Sequence, residues 1–213
     1  MVKFIPRYAT SDRVNHWIVS MCFIVLSLSG LAFFHPSYFF LSSVLGGPVW
    51  ARILHPFIGI VLFLTFVGLS LRVWKDNRFK AVDIEWLKRI DEVINNGDGP
   101  DKLPIGKYNA GQKLMFWSMV WSVGFLLVSG IVIWRAWFAG YFPVVVVRWG
   151  AVIHMLAAFI GIVSLIVHVY AAIWVKGTLR AMTRGNVDAA WAKHHHPEWY
   201  REMTQEKVTQ APH

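Results

Sequence analysis

Cysteine is nearly absent from this sequence of 213 residues, in which Cys22 is the only one. A disulfide within the chain needs two cysteines, and iron–sulfur clusters or zinc ribbons need several thiolates. Covalent cofactor attachment through a C-x-x-C-H motif also needs two. The sequence therefore excludes a disulfide scaffold, cysteine-ligated clusters and covalent attachment of this kind.

Acidic residues are absent from four long apolar stretches. Each stretch approaches or exceeds the roughly 20 residues that a helix needs to cross the bilayer core. Apolar residues make up 56% of the chain, and tryptophans stand at or near the ends of the stretches, as in an interfacial aromatic belt. We therefore predict one all-α integral membrane domain over residues 1–213, a four-helix bundle with short surface helices and a cytoplasmic tail. The predicted membrane helices are 17–34, 53–74, 114–134 and 151–175, and the tail is 176–213.

Basic residues are distributed unevenly, although the net charge is +9. They concentrate in the N-terminal arm, the 75–111 loop and the tail, whereas the other two loops contain only Arg52, Arg135 and Arg148. The positive-inside rule then places both termini and the middle loop in the cytoplasm of a multi-pass protein of the bacterial inner membrane. This distribution favours membrane orientation over nucleic-acid binding. No signal-peptide cleavage site follows the first stretch, so we expect it to be retained.

The middle loop contains its own helical pattern. Ile84, Leu87, Ile90 and Ile94 recur at helical spacing, with Asp83 in front of them as a candidate N-cap. The pattern predicts a short helix on the membrane surface.

Four of the nine histidines fall within or beside the apolar stretches. In the predicted topology His55 and His154 lie near the outer ends of the second and fourth helices, and His16 and His168 lie toward the cytoplasm. Fourteen residues of helix separate His154 from His168 by about 40° around the axis and ~21 Å along it. One face at two depths suits two stacked cofactors, each held from the opposite side by another helix.

Haem suits such a site because its iron takes an axial imidazole on each face. Depth pairs His55 with His154 and His16 with His168. The alternative is that buried histidines only bond neighbouring backbone or hydroxyl groups, but four residues matching as two pairs favour ligation. We expect His35, beside Pro36, to lie on the outer surface, and the histidines of the HHHPEWY run (194–200) to serve a surface or protein-contact role.

Six segments together resemble the membrane cytochrome b (gamma) subunit of respiratory formate dehydrogenases. They are NHWIVSMCFIVLSLSGLAFF, ARILHPFIGI, GKYNAGQKLMFWSMV, SGIVIWRAWF, WVKGTLRAM and WAKHHHPEWYRE. The resemblance implies two haem b groups, with His55 and His154 on the periplasmic side and His16 and His168 on the cytoplasmic side. It further implies menaquinone beside the cytoplasmic haem at Asn109, Gly111 and Gln112. The implied partners are an iron–sulfur (beta) subunit and, through it, the catalytic (alpha) subunit.

Other interpretations of these patterns stay open at the level of sequence. Asn109 is a good N-cap, and Gln112 three residues later would complete a capping box, with or without a quinone. The dehydrogenase partner could be a hydrogenase instead. A histidine-relay transporter is the alternative of another class, although the absence of Asp and Glu from the four stretches argues against it.

Overall fold

Four long helices dominate the structure, a computed structural model that describes residues 4–96 and 103–209. The elements run in the order β1 (Phe4–Pro6), α1 (Thr10–Phe34), a 3-10 helix (Pro36–Leu45), α2 (Pro48–Val73), α3 (Ala81–Lys88), α4 (Ile90–Asn96), α5 (Ala110–Ile133), a 3-10 turn (Ala139–Tyr141), α6 (Val144–Trp174), α7 (Thr178–Arg184), β2 (Asn186–Asp188), α8 (Ala189–His195) and α9 (Pro197–Thr209). The helices α1, α2, α5 and α6 are long and apolar enough to cross a membrane.

The all-α fold with four membrane spans is thereby confirmed. Each of the four helices begins before the predicted stretch and ends within one residue of its predicted end. The starts differ because the prediction followed the apolar run, whereas backbone hydrogen bonds continue through polar residues such as Arg52 and Arg148. Between 17% and 22% of the most apolar window in each helix is buried within the protein, which leaves most of its apolar side chains for lipid to cover.

The chain divides into two compact units, one of which comprises residues 14–71 and 118–166. Small residues let its helices approach closely, as is usual between membrane helices. A Cβ added to Gly161 of α6 would lie 2.9 Å from the ring of Phe23 on α1. A Cβ on Gly150 would lie 2.9 Å from Val132. Both glycines are therefore required by helix–helix contact within this unit.

The other unit comprises residues 1–13, 72–117 and 167–213. Its described part contains a short antiparallel strand pair, in which Ile5 of β1 stands opposite Val187 of β2. Both side chains are buried and share a small apolar core with Trp199. The sequence analysis did not predict this pair, because three-residue strands are too short to show alternation. The tail is folded onto the N-terminal arm by these contacts.

The middle loop differs from the predicted surface helix in two respects. Asp83 is not the N-cap: its carboxylate accepts a hydrogen bond from the backbone N–H of Lys80 at 2.6 Å, so the helix begins earlier. The predicted single helix is also interrupted at Arg89, giving α3 and α4. Ile84 and Ile90 are exposed, as a helix on a membrane surface requires. The side chain of Ile94 lies outside the described part of the chain.

Candidate functional site

His55, on α2, is held by a serine of α1. Its Nδ1 lies 2.7 Å from Ser29 Oγ, and Ser29 has no exposed surface. The same hydroxyl lies 2.9 Å from the carbonyl oxygen of Val25, to which it donates. Because a hydroxyl has one proton to donate, the ring must donate Nδ1–H to Ser29. The lone pair of His55 then lies on Nε2, the state that a metal ligand requires.

His154, on α6, is held in the same way by a serine of α5. Its Nδ1 lies 3.0 Å from Ser129 Oγ, and that hydroxyl lies 2.5 Å from the carbonyl oxygen of Phe125. The adjacent glycine provides space for the ring, since a Cβ on Gly130 would lie 3.4 Å from His154 Cε1. His154 therefore also presents Nε2 as its basic nitrogen.

The two histidines lie near each other, as the depth argument predicted. The ring centroids of His55 and His154 are 6.4 Å apart, with planes inclined by 56°. A metal–imidazole bond of about 2 Å would place two ligand rings on opposite sides of one ion with centroids about 6 Å apart. The observed separation matches that distance.

The donor set fits an iron porphyrin better than a bare ion. In the part of the chain that the structure describes, no three His, Cys, Asp or Glu side chains are grouped as a metal site. A porphyrin supplies four nitrogen ligands to its iron, so the protein needs to provide only two more. His55 and His154 can supply these two.

The second predicted pair is His16 on α1 and His168 on α6. The unbroken helix α6 contains both His154 and His168, so the spacing used to predict two depths on one face holds. His16 and His168 belong to different compact units. Their pairing therefore stays a prediction that rests on depth and on the resemblance.

The sequence analysis missed Ser29 and Ser129, although the sequence contains a signal for them. A Ser-Gly pair occurs near the C-terminal end of both the first and the third span, at Ser29–Gly30 and Ser129–Gly130. A Cβ on Gly30 would lie 3.7 Å from His55 Cε1, which repeats the relation between Gly130 and His154. Each Ser-Gly pair thus places a hydroxyl group, and the space left by the missing glycine side chain, against the histidine of the next span.

The predicted capping box at the start of α5 is confirmed. Asn109 Oδ1 accepts from the backbone N–H of Gln112 at 2.9 Å, and Gln112 Oε1 accepts from the backbone N–H of Asn109 at 3.1 Å. The box uses the oxygen of each amide side chain. The amide NH2 groups, which are hydrogen-bond donors, are not consumed by it. Capping and donation to a ligand carbonyl are thus compatible.

Residues of α3 support this turn from one side. A Cβ on Gly111 would lie 3.2 Å from the ring of Trp86, so the glycine is explained by packing. Lys113 Nζ lies 2.7 and 2.9 Å from the two carboxylate oxygens of Asp83, and both side chains are almost fully buried. Sequence reasoning missed this ion pair because thirty residues separate its members.

Comparison with known proteins decides the family. The family model described as prokaryotic cytochrome b561 matches residues 7–185. This chain belongs to the prokaryotic cytochrome b561 family. Membership implies haem b, which is held without covalent attachment, in agreement with the single cysteine.

Similar members of the cytochrome b561 family carry more specific names. The chain is 46% identical to the formate dehydrogenase cytochrome b556(fdo) subunit of Escherichia coli strain K12, over 93% of each chain. It is 45% identical to the nitrate-inducible cytochrome b556(Fdn) subunit of the same strain, over 94% of this chain and 92% of the relative. For the formate dehydrogenase cytochrome b556 subunit of Haemophilus influenzae the identity is 41%, over 96% and 85%. The resemblance stated from the six segments is confirmed.

Proposed function

We propose that this cytochrome b561 family protein is the dihaem membrane subunit of a formate dehydrogenase. It carries electrons from partner subunits at the periplasmic side to menaquinone near the cytoplasmic side. The observation that carries the proposal is the His55–His154 pair, in which a serine fixes each ring with Nε2 as its basic nitrogen. The names of relatives at 41% to 46% identity support formate as the electron source.

The chain's own residues do two things at the haem sites. Ser29 and Ser129 fix the tautomer and orientation of His55 and His154, which are assigned to the periplasmic-side haem. His16 and His168 are assigned to the cytoplasmic-side haem. When bound, haem supplies one-electron transfer, and the axial ligands tune its potential. Inward electron transfer opposes the membrane potential by about 2.3 kcal/mol per 100 mV, so the cytoplasmic end must be favourable enough to offset this cost.

The quinone end is assigned to the turn at the start of α5. Asn109 and Gln112 each have an amide NH2 group available to a quinone carbonyl, while their oxygens cap the helix. Gly111 lets Trp86 pack close beside them. The turn lies in the same compact unit as His168, which supports quinone reduction beside the cytoplasmic haem. Protons for the reduced quinone come from the cytoplasm.

The partners follow from this electron path. An iron–sulfur (beta) subunit delivers electrons at the periplasmic side, and formate is oxidised in a catalytic (alpha) subunit attached through it. The distribution of basic residues supports a multi-pass protein of the inner membrane with both termini in the cytoplasm.

Haem stoichiometry tests the proposed function. The purified complex should show a b-type spectrum that formate reduces, and pyridine haemochrome analysis should give two haem b groups for each copy of this chain. Added menaquinone analogue should reoxidise both. A ratio of one haem per chain, or haem that formate leaves oxidised, would contradict the dihaem conduit.

Asn109→Asp is expected to impair quinone reduction while preserving the helix start. Aspartate is as good an N-cap as asparagine, but its carboxylate has no proton to donate to a quinone carbonyl. Haem content and formate-driven reduction should stay normal. Losing one hydrogen bond should raise the KM for a menaquinone analogue by about threefold to tenfold.

Comparing Asn109→Ala with Asn109→Asp separates the two roles of this residue. Asn109→Ala removes cap and donor together, so it should also cost about 1 kcal/mol of helix stability. If the Asn109→Asp complex has a normal haem content and menaquinone analogue reoxidises its haems at the wild-type rate, Asn109 is a helix cap and the turn does not bind quinone.

A further inference from the structure

Three consecutive carbonyl groups immediately before the quinone turn accept hydrogen bonds from distant parts of the chain. Ile105 O accepts from the backbone N–H of Glu198 at 3.0 Å. Gly106 O lies 2.8 Å from His196 Nδ1. Lys107 O accepts from the guanidinium of Arg7. The donors belong to the C-terminal tail and the N-terminal arm, and residues 103–109 belong to no helix or strand. The path of this segment is therefore set by long-range contacts.

His196 is the central donor of this arrangement. Only 1% of its surface is exposed. The histidines of the HHHPEWY run were predicted to serve a surface or protein-contact role, and for His196 the surface position is wrong. Its Nε2 lies 3.4 Å from Arg7 Nη2. Arginine can only donate, so Nε2 must accept and Nδ1 must hold the proton that goes to Gly106 O. Burial, aided by the charge of Arg7, lowers the pKa of His196 well below its ordinary value. The ring is consequently a fixed neutral donor.

Aromatic rings stabilise the buried guanidinium that completes the arrangement. Arg7 lies 4.8 Å from the ring centroid of Trp199, 5.4 Å from that of Trp191 and 5.8 Å from that of Tyr108. Such cation–π contacts stabilise a desolvated cation. Tyr108 is itself the residue before Asn109. The cluster thus links the tail and the arm to the first residue of the capping box.

We propose that His196 is a positioning residue for quinone binding, and that the tail and the arm clamp residues 105–107 so that Asn109 is held ready for its ligand. This inference rests on the proposed function, because it takes Asn109 as a quinone contact. A turn fixed in advance loses little entropy when it binds, whereas a loosened turn must be ordered by the ligand. Loosening should therefore raise the KM for quinone and change kcat little.

The test compares three variants in the purified complex. His196→Phe keeps a ring against the two tryptophans but removes both nitrogens. His196→Asn keeps an amide N–H donor toward Gly106 O. His194→Phe is the matched control, since His194 is the exposed neighbour in the same run. The measurements are haem content, KM and kcat for a menaquinone analogue, and amide hydrogen exchange over residues 103–112.

His196→Phe should raise the quinone KM by about threefold to tenfold, the effect of losing a hydrogen bond, with kcat within about twofold and haem content unchanged. Exchange over residues 103–112 should become faster. His196→Asn should recover most of both properties, and His194→Phe should match the wild type. Should His196→Phe fail to accumulate with haem, the alternative is His196→Gln, whose amide corresponds to Nε2 toward Arg7 and leaves the Nδ1 position without a donor. It carries the same expectations as His196→Phe.

Two results would overturn the inference while leaving the proposed function intact. Unchanged exchange in the Phe or Gln variant would show that His196 does not clamp the turn. The second result is that a His196 variant shows faster exchange but an unchanged quinone KM, although Asn109→Asp raises that KM. The clamp would then exist without positioning the quinone site. An unchanged KM in Asn109→Asp would instead remove the quinone assignment, and the positioning role with it. The exchange data would still show whether the clamp exists, so the two failures are distinguishable.

Discussion

His55→Ala and His154→Ala are each expected to remove the same haem, leaving one b-type haem of two in the complex. The structure places the centroids of the two rings 6.4 Å apart, and each ring would provide one imidazole ligand to the same haem iron. Neither serine can replace a lost ring, because both hydroxyls are already bonded to a backbone carbonyl. Pyridine haemochrome analysis and a redox titration of the remaining band measure the loss and identify which haem is missing.

The other predicted pair should behave as the complement. His16→Ala and His168→Ala should each remove the haem that the first two variants retain. His35→Ala is the control, because His35 is exposed and its Nδ1 accepts from the backbone N–H of Ser37. If His35→Ala abolished a haem while His16→Ala spared both, pairing by depth would be wrong.

Substitution of Ser29 or Ser129 should weaken haem binding less than substitution of the histidine that each serine contacts. Ser29→Ala leaves the ligand His55 in place but removes the group that fixes its Nδ1–H. Loss of such a supporting contact typically weakens metal binding by about tenfold to a hundredfold. Ser29→Ala and Ser129→Ala should therefore retain haem that dissociates more readily. An equal loss from Ser43→Ala, a serine of the exposed 3-10 helix, would indicate a general effect on folding.

Asp83→Asn is expected to destabilise the protein by about 3–5 kcal/mol, because it leaves a buried ammonium group without its counter-charge. Lys113 and Asp83 have 4% and 3% of their side-chain surface exposed, so water cannot replace the lost carboxylate. The same carboxylate accepts the backbone N–H of Lys80. The loss should appear as a lower midpoint of thermal unfolding of the purified complex in detergent.

A double variant distinguishes charge burial from general disruption. Asp83→Leu combined with Lys113→Met removes both charges and keeps apolar volume, which is often neutral for a buried pair. It should recover most of the stability that Asp83→Asn loses. Glu85→Gln is the matched control, since the Glu85–Lys88 pair is exposed and such pairs contribute about 0–1 kcal/mol. This account would be contradicted if Asp83→Asn left the unfolding midpoint unchanged. It would also be contradicted if the double variant were no more stable than Asp83→Asn.

Patterns within single helices were predictable from the sequence. The four spans follow from the length of the apolar stretches, because a helix must be long and apolar enough to cross the bilayer. Their C-terminal ends agree with the structure to within one residue. The capping box was predictable because Asn109 and Gln112 are three residues apart. The proximity of His55 and His154 was predicted as well, because the membrane gives each span a depth coordinate and the topology aligns them.

The sequence by itself determined the class of protein, the spans and the candidate ligands, since helix geometry and hydrophobicity relate residues that are close along the chain. Only the tertiary structure decided which groups hold those residues in place. Ser29 bonds a ring 26 residues away, Lys113 pairs with a carboxylate 30 residues away, and His196 bonds a carbonyl 90 residues away. Such contacts depend on how separate segments approach one another. The same residue types are equally compatible with exposed positions, and burial alone makes each partner necessary.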